Sequence, residues 1–330
     1  MRRFRWLVPI AVMPLLAWTV GALMFGPFGI GSTVRIAFAA TLFAVSVAFA
    51  WRVRARGVAV AAIAMALPSI AFACAWPFLT GSPRGDREWT PELSRAATAE
   101  VDGDRLVVRD VRNFRWRSLS DFDSAWEDRT YDLAKLVRVW FVLVPFHDQD
   151  EVAHTFLSFE FEGGDFLAFS PEIRKEKGES FSASGGLFRN FELFYTVGDE
   201  RDLVKLRTDF FGDEVFVFPV RGTKEGARTA LLDVIGRVNG LAAAPEWYDA
   251  LTNSCAVNVA RHANAVIPGS IGRGSWRVAL PGWSDELALE LGFIDFDGTV
   301  PEARARFKAN EKATAAGDAP DFSTRIRATP

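Results

Sequence analysis

Apolar residues crowd the first eighty positions of this 330-residue chain, in three runs separated by short polar breaks. RWLVPIAVMPLLAWTVGALMFG, VRIAFAATLFAVSVAFAW and GVAVAAIAMALPSIAFACAWPFL each approach the roughly 20 residues that a helix needs to cross a hydrocarbon core. Charge is almost absent from their interiors. They predict three transmembrane helices, over about 6–26, 34–51 and 57–79, forming a membrane anchor over 1–80. A signal peptide is the competing reading of the first run, because MRRFR resembles a basic leader, yet two more apolar segments follow without a clear small-residue cleavage site.

Beyond Leu79 the pattern changes to short periods. TGSPRGDREWTPELSRAATAE is polar and rich in turn residues, and predicts a linker over 81–99. AEVDGDRLVVRDVRNFRW predicts a hairpin turning at DGD, and LVRVWFVLVPF is a continuous apolar run of strand length, as expected of a strand covered on both faces. VAHTFLSFEF and FLAFSPEI flank EGGD and predict a second hairpin on a Gly-Gly turn. ERDLVKLRTDF and DEVFVFPV add strand-like patterns. TKEGARTALLDVIGRVNGLAAA, SCAVNVARHANAV and SDELALELGF predict helices. The class is therefore α+β with an antiparallel sheet, in a domain over 100–303. The charged, Ala-rich stretch 304–330 reads as a loosely ordered tail.

Charge then orients the anchor. Arg2, Arg3 and Arg5 precede the first run and Arg52, Arg54 and Arg56 separate the second from the third, whereas the intervening loop offers only Arg35. Basic residues stay on the cytoplasmic side, so the N-terminus is predicted to be cytoplasmic and the C-terminal domain periplasmic, at the inner membrane of a bacterium. A net charge of −3 argues against nucleic acid as a partner. Three scattered histidines and one cysteine outside the apolar runs give no metal-ligand spacing, so neither metal nor cofactor is expected.

The chemistry gathers on Cys255 and His154. LTNSCAVNVARHANAV places Cys255 in the first turn of a predicted helix, with Asn253 or Ser254 as the N-cap. Partial positive charge at that terminus favours thiolate over thiol. A nucleophile there needs a base. His262 lies seven residues along the same helix, roughly 10 Å away at 1.5 Å per residue, and His147 sits in a loop-like stretch. His154, on a strand, is the remaining choice, although a satisfied core histidine would fit its apolar neighbours too. Counting across the EGGD hairpin sets Glu172 opposite His154, as a candidate to orient the ring or as a surface carboxylate paired with Arg174. Arg174, Lys175 and Lys177 then follow in EIRKEKGES, where they could bind a phospholipid head group or form a solvated loop.

The stretches VRNFRWRSLSDFDSAWEDRTYDLAKL, AHTFLSFEF, FLAFSPEIRKEKGESFSASGG, ERDLVKLRT, LTNSC and PGWSDELALELGFID together resemble the bacterial membrane-anchored family of the Lnb N-terminal periplasmic domain, from about Asp86 to Asp295. That resemblance implies a permuted papain-like fold in which histidine precedes cysteine, with Cys255 as nucleophile and His154 as base. It also implies acyl transfer from a phospholipid to the amino group of a lipoprotein. Ser254 stands where the family pattern often has asparagine before the nucleophile, and Asn253 lies one place earlier. Three functions are thus open: a thiol acyltransferase, a cell-wall peptidase or amidase on the same dyad, and a non-catalytic envelope binding module.

Overall fold

A computed structural model describes residues 7–27, 31–53, 57–147, 149–272 and 274–328. Arg2, Arg3, Arg5, Arg54 and Arg56, on which the predicted orientation rests, lie outside the described residues, as do the last two residues of the predicted tail. The chain divides into two units: one of residues 1–84, 180–192 and 246–249, the other of 85–179, 193–245 and 250–330.

The first unit holds the apolar helices α1 (Leu7–Phe25), α2 (Ser32–Val53) and α3 (Val58–Thr80). Among the described residues, two segments, Thr33–Arg52 and Val60–Thr80, are long and apolar enough to cross a membrane; the described apolar stretch of α1, Val12–Phe25, is shorter. Val12 and Leu16 pack on Ala62 and Ala66, and further along Ala22 packs on Trp76, so α1 and α3 run parallel and α2 returns between them. The short helix α4 (Ala183–Leu187) follows Ser182, whose side chain accepts from Gly185 N. Phe188, just after it, seats its ring against Trp18 and Phe25 at centroid distances of 6.4 and 6.3 Å. Gly21 makes room for that ring, since a Cβ there would stand 2.5 Å from Phe188 Cζ.

The second unit is mixed α/β around a large, mostly antiparallel sheet. Its strands are β1 (Thr98–Asp102), β2 (Arg105–Arg112), β5 (Trp126–Asp132), β6 (Leu136–Phe146), β7 (Gln149–Phe161), β8 (Asp165–Arg174), β9 (Glu192–Gly198) and β10 (Phe216–Pro219), with β3 (Arg115–Trp116) and β4 (Phe122–Asp123) as a separate two-stranded ribbon. The order is β1-β2-β9-β8-β7-β6-β10, and β5 also pairs with β2. Both predicted hairpins form: Gly163 and Gly164 take positive φ at the β7–β8 turn, where a Cβ would be strained. β6 is buried along most of its length, as its unbroken apolar run requires.

Helices cover both faces of the sheet. On one, α5 (Glu200–Lys205), α11 (Asn310–Ala316) and α12 (Phe322–Arg325) pack Leu203, Ala313 and Phe322 against Val142, Val144 and Phe156. On the other lie α6 (Lys224–Ala243) and α7 (Cys255–Val266), followed by α8 (Trp276–Ala279), α9 (Ser284–Glu290) and α10 (Val300–Phe307).

Three expectations are corrected. ERDLVKLRTDF is not a strand: Asp199 caps α5 by accepting from Arg201 N, and a π-helical turn, Leu206–Phe211, follows. Its apolar alternation was overridden by the buried carboxylates Glu200 and Asp202, which a strand would have left without their partners. The tail is not loose, because Ala309, Phe322 and Ile326 are core residues and Arg327 pairs with the fully buried Glu200. The linker is partly built into the domain as well: Trp89 bridges to Glu176, and Thr90 N donates to Lys175 O.

Candidate active site

His154 occupies β7, where side chains alternate between faces. It shares the α5 side with Phe156, whose ring lies 5.6 Å from its own. The β7–β8 ladder runs from Phe161↔Asp165 to Leu157↔Phe169. Carried three residues further, that register sets Glu172 opposite His154, as the hairpin count anticipates. The two are linked through a residue the sequence reading missed. Ser170 Oγ lies 2.7 Å from His154 Nε2 and donates to Glu172 Oε1 at 2.9 Å, with Glu172 itself 4.0 Å from the ring nitrogen.

This relay fixes the imidazole tautomer. Ser170 has one hydroxyl proton and gives it to the carboxylate, which can only accept. Its oxygen must therefore accept from His154, which puts the ring proton on Nε2 and leaves Nδ1 as the basic nitrogen. Burial pushes the ring's pKa well below 6.5, and the nearby Arg207 charge pushes it the same way. Arg207 stands on the π-helical turn, and no sequence spacing signalled its approach to His154.

Cys255 opens α7, and of the two proposed caps it is Ser254 that accepts from Val257 N. The thiol is buried and lies 3.9 Å from Ala153 O, on β7 beyond the end of the β7–β8 ladder. The N–H and hydroxyl of Thr155 also stand close enough to lower its pKa. The sulfur thus meets the strand at the residues on either side of His154. Among the described residues no hydrogen bond joins the thiol to the imidazole, whose Nε2 is held by Ser170. The expected thiolate is reversed: burial raises the pKa of Cys255 above 9.0, and Glu172 adds to the rise against the N–H groups of Thr155 and Ala256. Helix-terminal polarity is outweighed by desolvation, so thiol and imidazole both rest neutral.

The remaining predicted residues serve other contacts. Asn253 Oδ1 accepts from Arg237 Nη2 at 3.1 Å and Asn258 Nδ2 at 3.2 Å, in a network beneath the first turn of α7. Arg174 is buried, donating to Leu93 O and Ser94 O with its guanidinium 4.3 Å from the Trp89 ring and 4.5 Å from that of Phe194. These are the contacts of an internal cation and correct the expectation of a head-group ligand. Lys175 pairs with Glu92 at 3.3 Å, and Lys177, well exposed, lies 3.8 Å from Glu88.

His262 is also more than a distant histidine. Its Nδ1 is 2.6 Å from Asp233 Oδ2 and its Nε2 is 2.7 Å from Tyr195 OH, all within the second unit. Burial lowers its pKa although Asp233 acts against that. Among the described residues, no three His, Cys, Asp or Glu side chains converge as metal ligands.

No curated protein and no solved structure matches this chain. Residues 122–282 match a family model, a narrower span than Asp86–Asp295 but one that contains His154, Ser170, Glu172 and Cys255. With its apolar N-terminal helices, the protein is membrane-anchored with a periplasmic domain, and the matched segment belongs to the family of the Lnb N-terminal periplasmic domain.

Proposed function

We propose that the protein is a thiol acyltransferase of the bacterial inner membrane, with its N-terminus cytoplasmic and its papain-like domain in the periplasm. One observation carries this reading. The thiol of Cys255, at a helix N-terminus, meets β7 on both sides of His154, whose ring heads a relay through Ser170 to Glu172. Nucleophile, base and orienting group follow the logic of triads on unrelated folds.

Because thiol and imidazole are both neutral at rest, the proton moves as the bond forms. Sγ attacks the ester carbonyl of a phospholipid while His154 Nδ1 accepts the thiol proton, which requires the start of β7, beyond the β7–β8 ladder, to turn His154 from the α5 face towards α7. The oxyanion is met by backbone N–H groups at the α7 terminus. On collapse the ester C–O bond breaks, the proton passes from His154 to the departing alcohol oxygen, and a thioester remains. An amine, such as the N-terminus of a lipoprotein, then attacks the thioester. It loses a proton to His154, which returns it to the sulfur as the amide leaves. The Ser170 hydroxyl and the Glu172 carboxylate stabilise the transient imidazolium. Lys177 is the exposed cation of its segment and the one suited to a lipid phosphate.

The test is mass spectrometry of the full-length protein incubated with defined phospholipids and quenched in acid. Cys255 is expected to gain one acyl group, Cys255→Ala to gain none, and His154→Ala to acylate about a hundredfold or more slowly. A Cys255→Ala protein that turns substrate over at the wild-type rate would exclude nucleophilic catalysis. Preference for a water-soluble cell-wall peptide over every lipid would reassign the same residues to a peptidase.

A further inference from the structure

A cavity of about 370 Å³ lies between the sheet and helices α6 and α7, wholly inside the second unit, and its walls are almost entirely apolar. It exists because both helices present small side chains where packed interiors use large ones: Gly226, Ala227 and Ala230 on α6, and Ala256, Ala260 and Ala263 on α7. The lining follows α7 from Ala256 to Ile267, which at 1.5 Å per residue is roughly 16 Å. The space is therefore long and narrow.

Two features connect it to the thiol. Ala256 adjoins Cys255 in the chain, and its N–H faces the sulfur. Thr155 lines the cavity too, and its side chain is 1% exposed with Oγ1 lacking any hydrogen-bond partner among the described residues. That hydroxyl stands near the sulfur but makes no hydrogen bond of ordinary geometry with it. A buried, unsatisfied hydroxyl in the wall of an apolar cavity beside the thiol is a polar group awaiting a ligand acceptor.

We infer that this cavity is the acyl-chain site of the enzyme: a long-chain fatty acyl group, esterified to Cys255 as the thioester, extends along α7 with its carbonyl oxygen accepting from the Thr155 hydroxyl. The inference rests on the acyl-transfer reading above and adds the site that selects chain length. A head group does not suit a cavity whose accessible walls are almost entirely apolar, although Arg138, Arg221 and His262 are among its lining residues. A peptide would leave its backbone groups unpaired there.

The experiment uses the full-length protein in lipid nanodiscs, with p-nitrophenyl acetate and p-nitrophenyl palmitate as acyl donors and mass detection of acyl-Cys255. Wild type should be acylated by both. Ala260→Phe, which fills the middle of the cavity, should slow palmitoylation by at least about tenfold relative to acetylation, and Ala230→Leu should do so from the opposite wall. Retained acetylation shows that the variants are folded. Equal rates for both esters in both variants would overturn the inference. Binding is measured separately on Cys255→Ala protein with cis-parinaric acid: displacement by palmitate and loss of binding in Cys255→Ala/Ala260→Phe support the cavity even if no ester acylates Cys255, a result that would sink the transferase reading alone. Parinaric acid binding equally well to both proteins would count against the cavity whatever the chemistry.

Discussion

The pKa of His154 is set by burial and the Arg207 charge and its tautomer by Ser170, and together they dictate how activity should depend on pH. Burial and the Arg207 charge hold the imidazolium form down, while burial holds Cys255 as a thiol above 9.0. A preformed thiolate–imidazolium pair would lose activity as pH falls through a low cysteine pKa. A neutral pair loses it only when His154 protonates, so the acid limb of kcat/KM should lie below pH 6.5 and the rate should stay level towards pH 9. Ser170→Ala should lower kcat by about tenfold to a hundredfold and move the acid limb, since it frees the ring to take the other tautomer. A purely structural role for Ser170 would reduce the amount of folded protein and leave the limb in place. The stability linkage runs the same way. A histidine whose folded pKa is depressed binds fewer protons folded than unfolded, so stability is present above pH 6.5 and is lost as pH falls below it.

At the scale of elements, the segments that misled the sequence reading are those where buried charge replaced periodicity. Asp202 is fully buried and accepts from Arg112 Nε at 2.8 Å, Arg112 Nη2 at 3.0 Å, Phe114 N at 2.9 Å and Trp116 Nε1 at 2.7 Å. The stretches VRNFRW and ERDLVKLRT thus form one connection, joining the end of β2 to α5, and no local pattern reveals a pairing ninety residues apart. Asp202→Asn should destabilise the domain by about 3–5 kcal/mol, because Arg112 would stay buried without its counter-charge. Chemical denaturation would measure this, and a loss below about 1 kcal/mol would show that the pair is dispensable. The unbroken apolar run located β6, the Gly-Gly turn located the β7–β8 hairpin and with it the facing of His154 and Glu172, and period-3.6 signals located α6 and α7. They could not find Ser170, whose relay depends on side-chain direction across a register. Nor could they find the roles of Arg207 and Arg174, which come from turns and loops folding back. The tail was misread for a related reason: its composition is polar, but Ala309, Ala313 and Phe322 share one buried side.

At the scale of the whole molecule, orientation in the membrane follows from where basic residues fall around the apolar helices. α1 and α3 run parallel, with Trp18, Ala22, Phe72 and Trp76 gathered towards their C-terminal ends, where Phe188 also packs. The three predicted crossings would place the start of the chain and the end of α3 on opposite sides. On the α1–α2 side the one basic residue is Arg35, in the first turn of α2, and it donates to Met24 O at 2.9 Å and Gly26 O at 3.0 Å at the end of α1. Arg52, in the last turn of α2, is exposed and adjoins Arg54 and Arg56 in the sequence, so basic residues gather on the α2–α3 side. Near an anionic cytoplasmic leaflet each such arginine is worth about 1 kcal/mol, so the α2–α3 loop and the N-terminus should lie in the cytoplasm. A reporter active only in the periplasm, fused after Pro330, should be active, and the same reporter inserted near Arg54 should be silent. Replacing Arg52, Arg54 and Arg56 by Gln should raise the signal at the Arg54 site by weakening the charge asymmetry. Activity at Arg54 in the unaltered protein would reverse the topology and remove lipoproteins of the periplasmic face as acceptors, while leaving the arrangement of Cys255 and His154 unaffected.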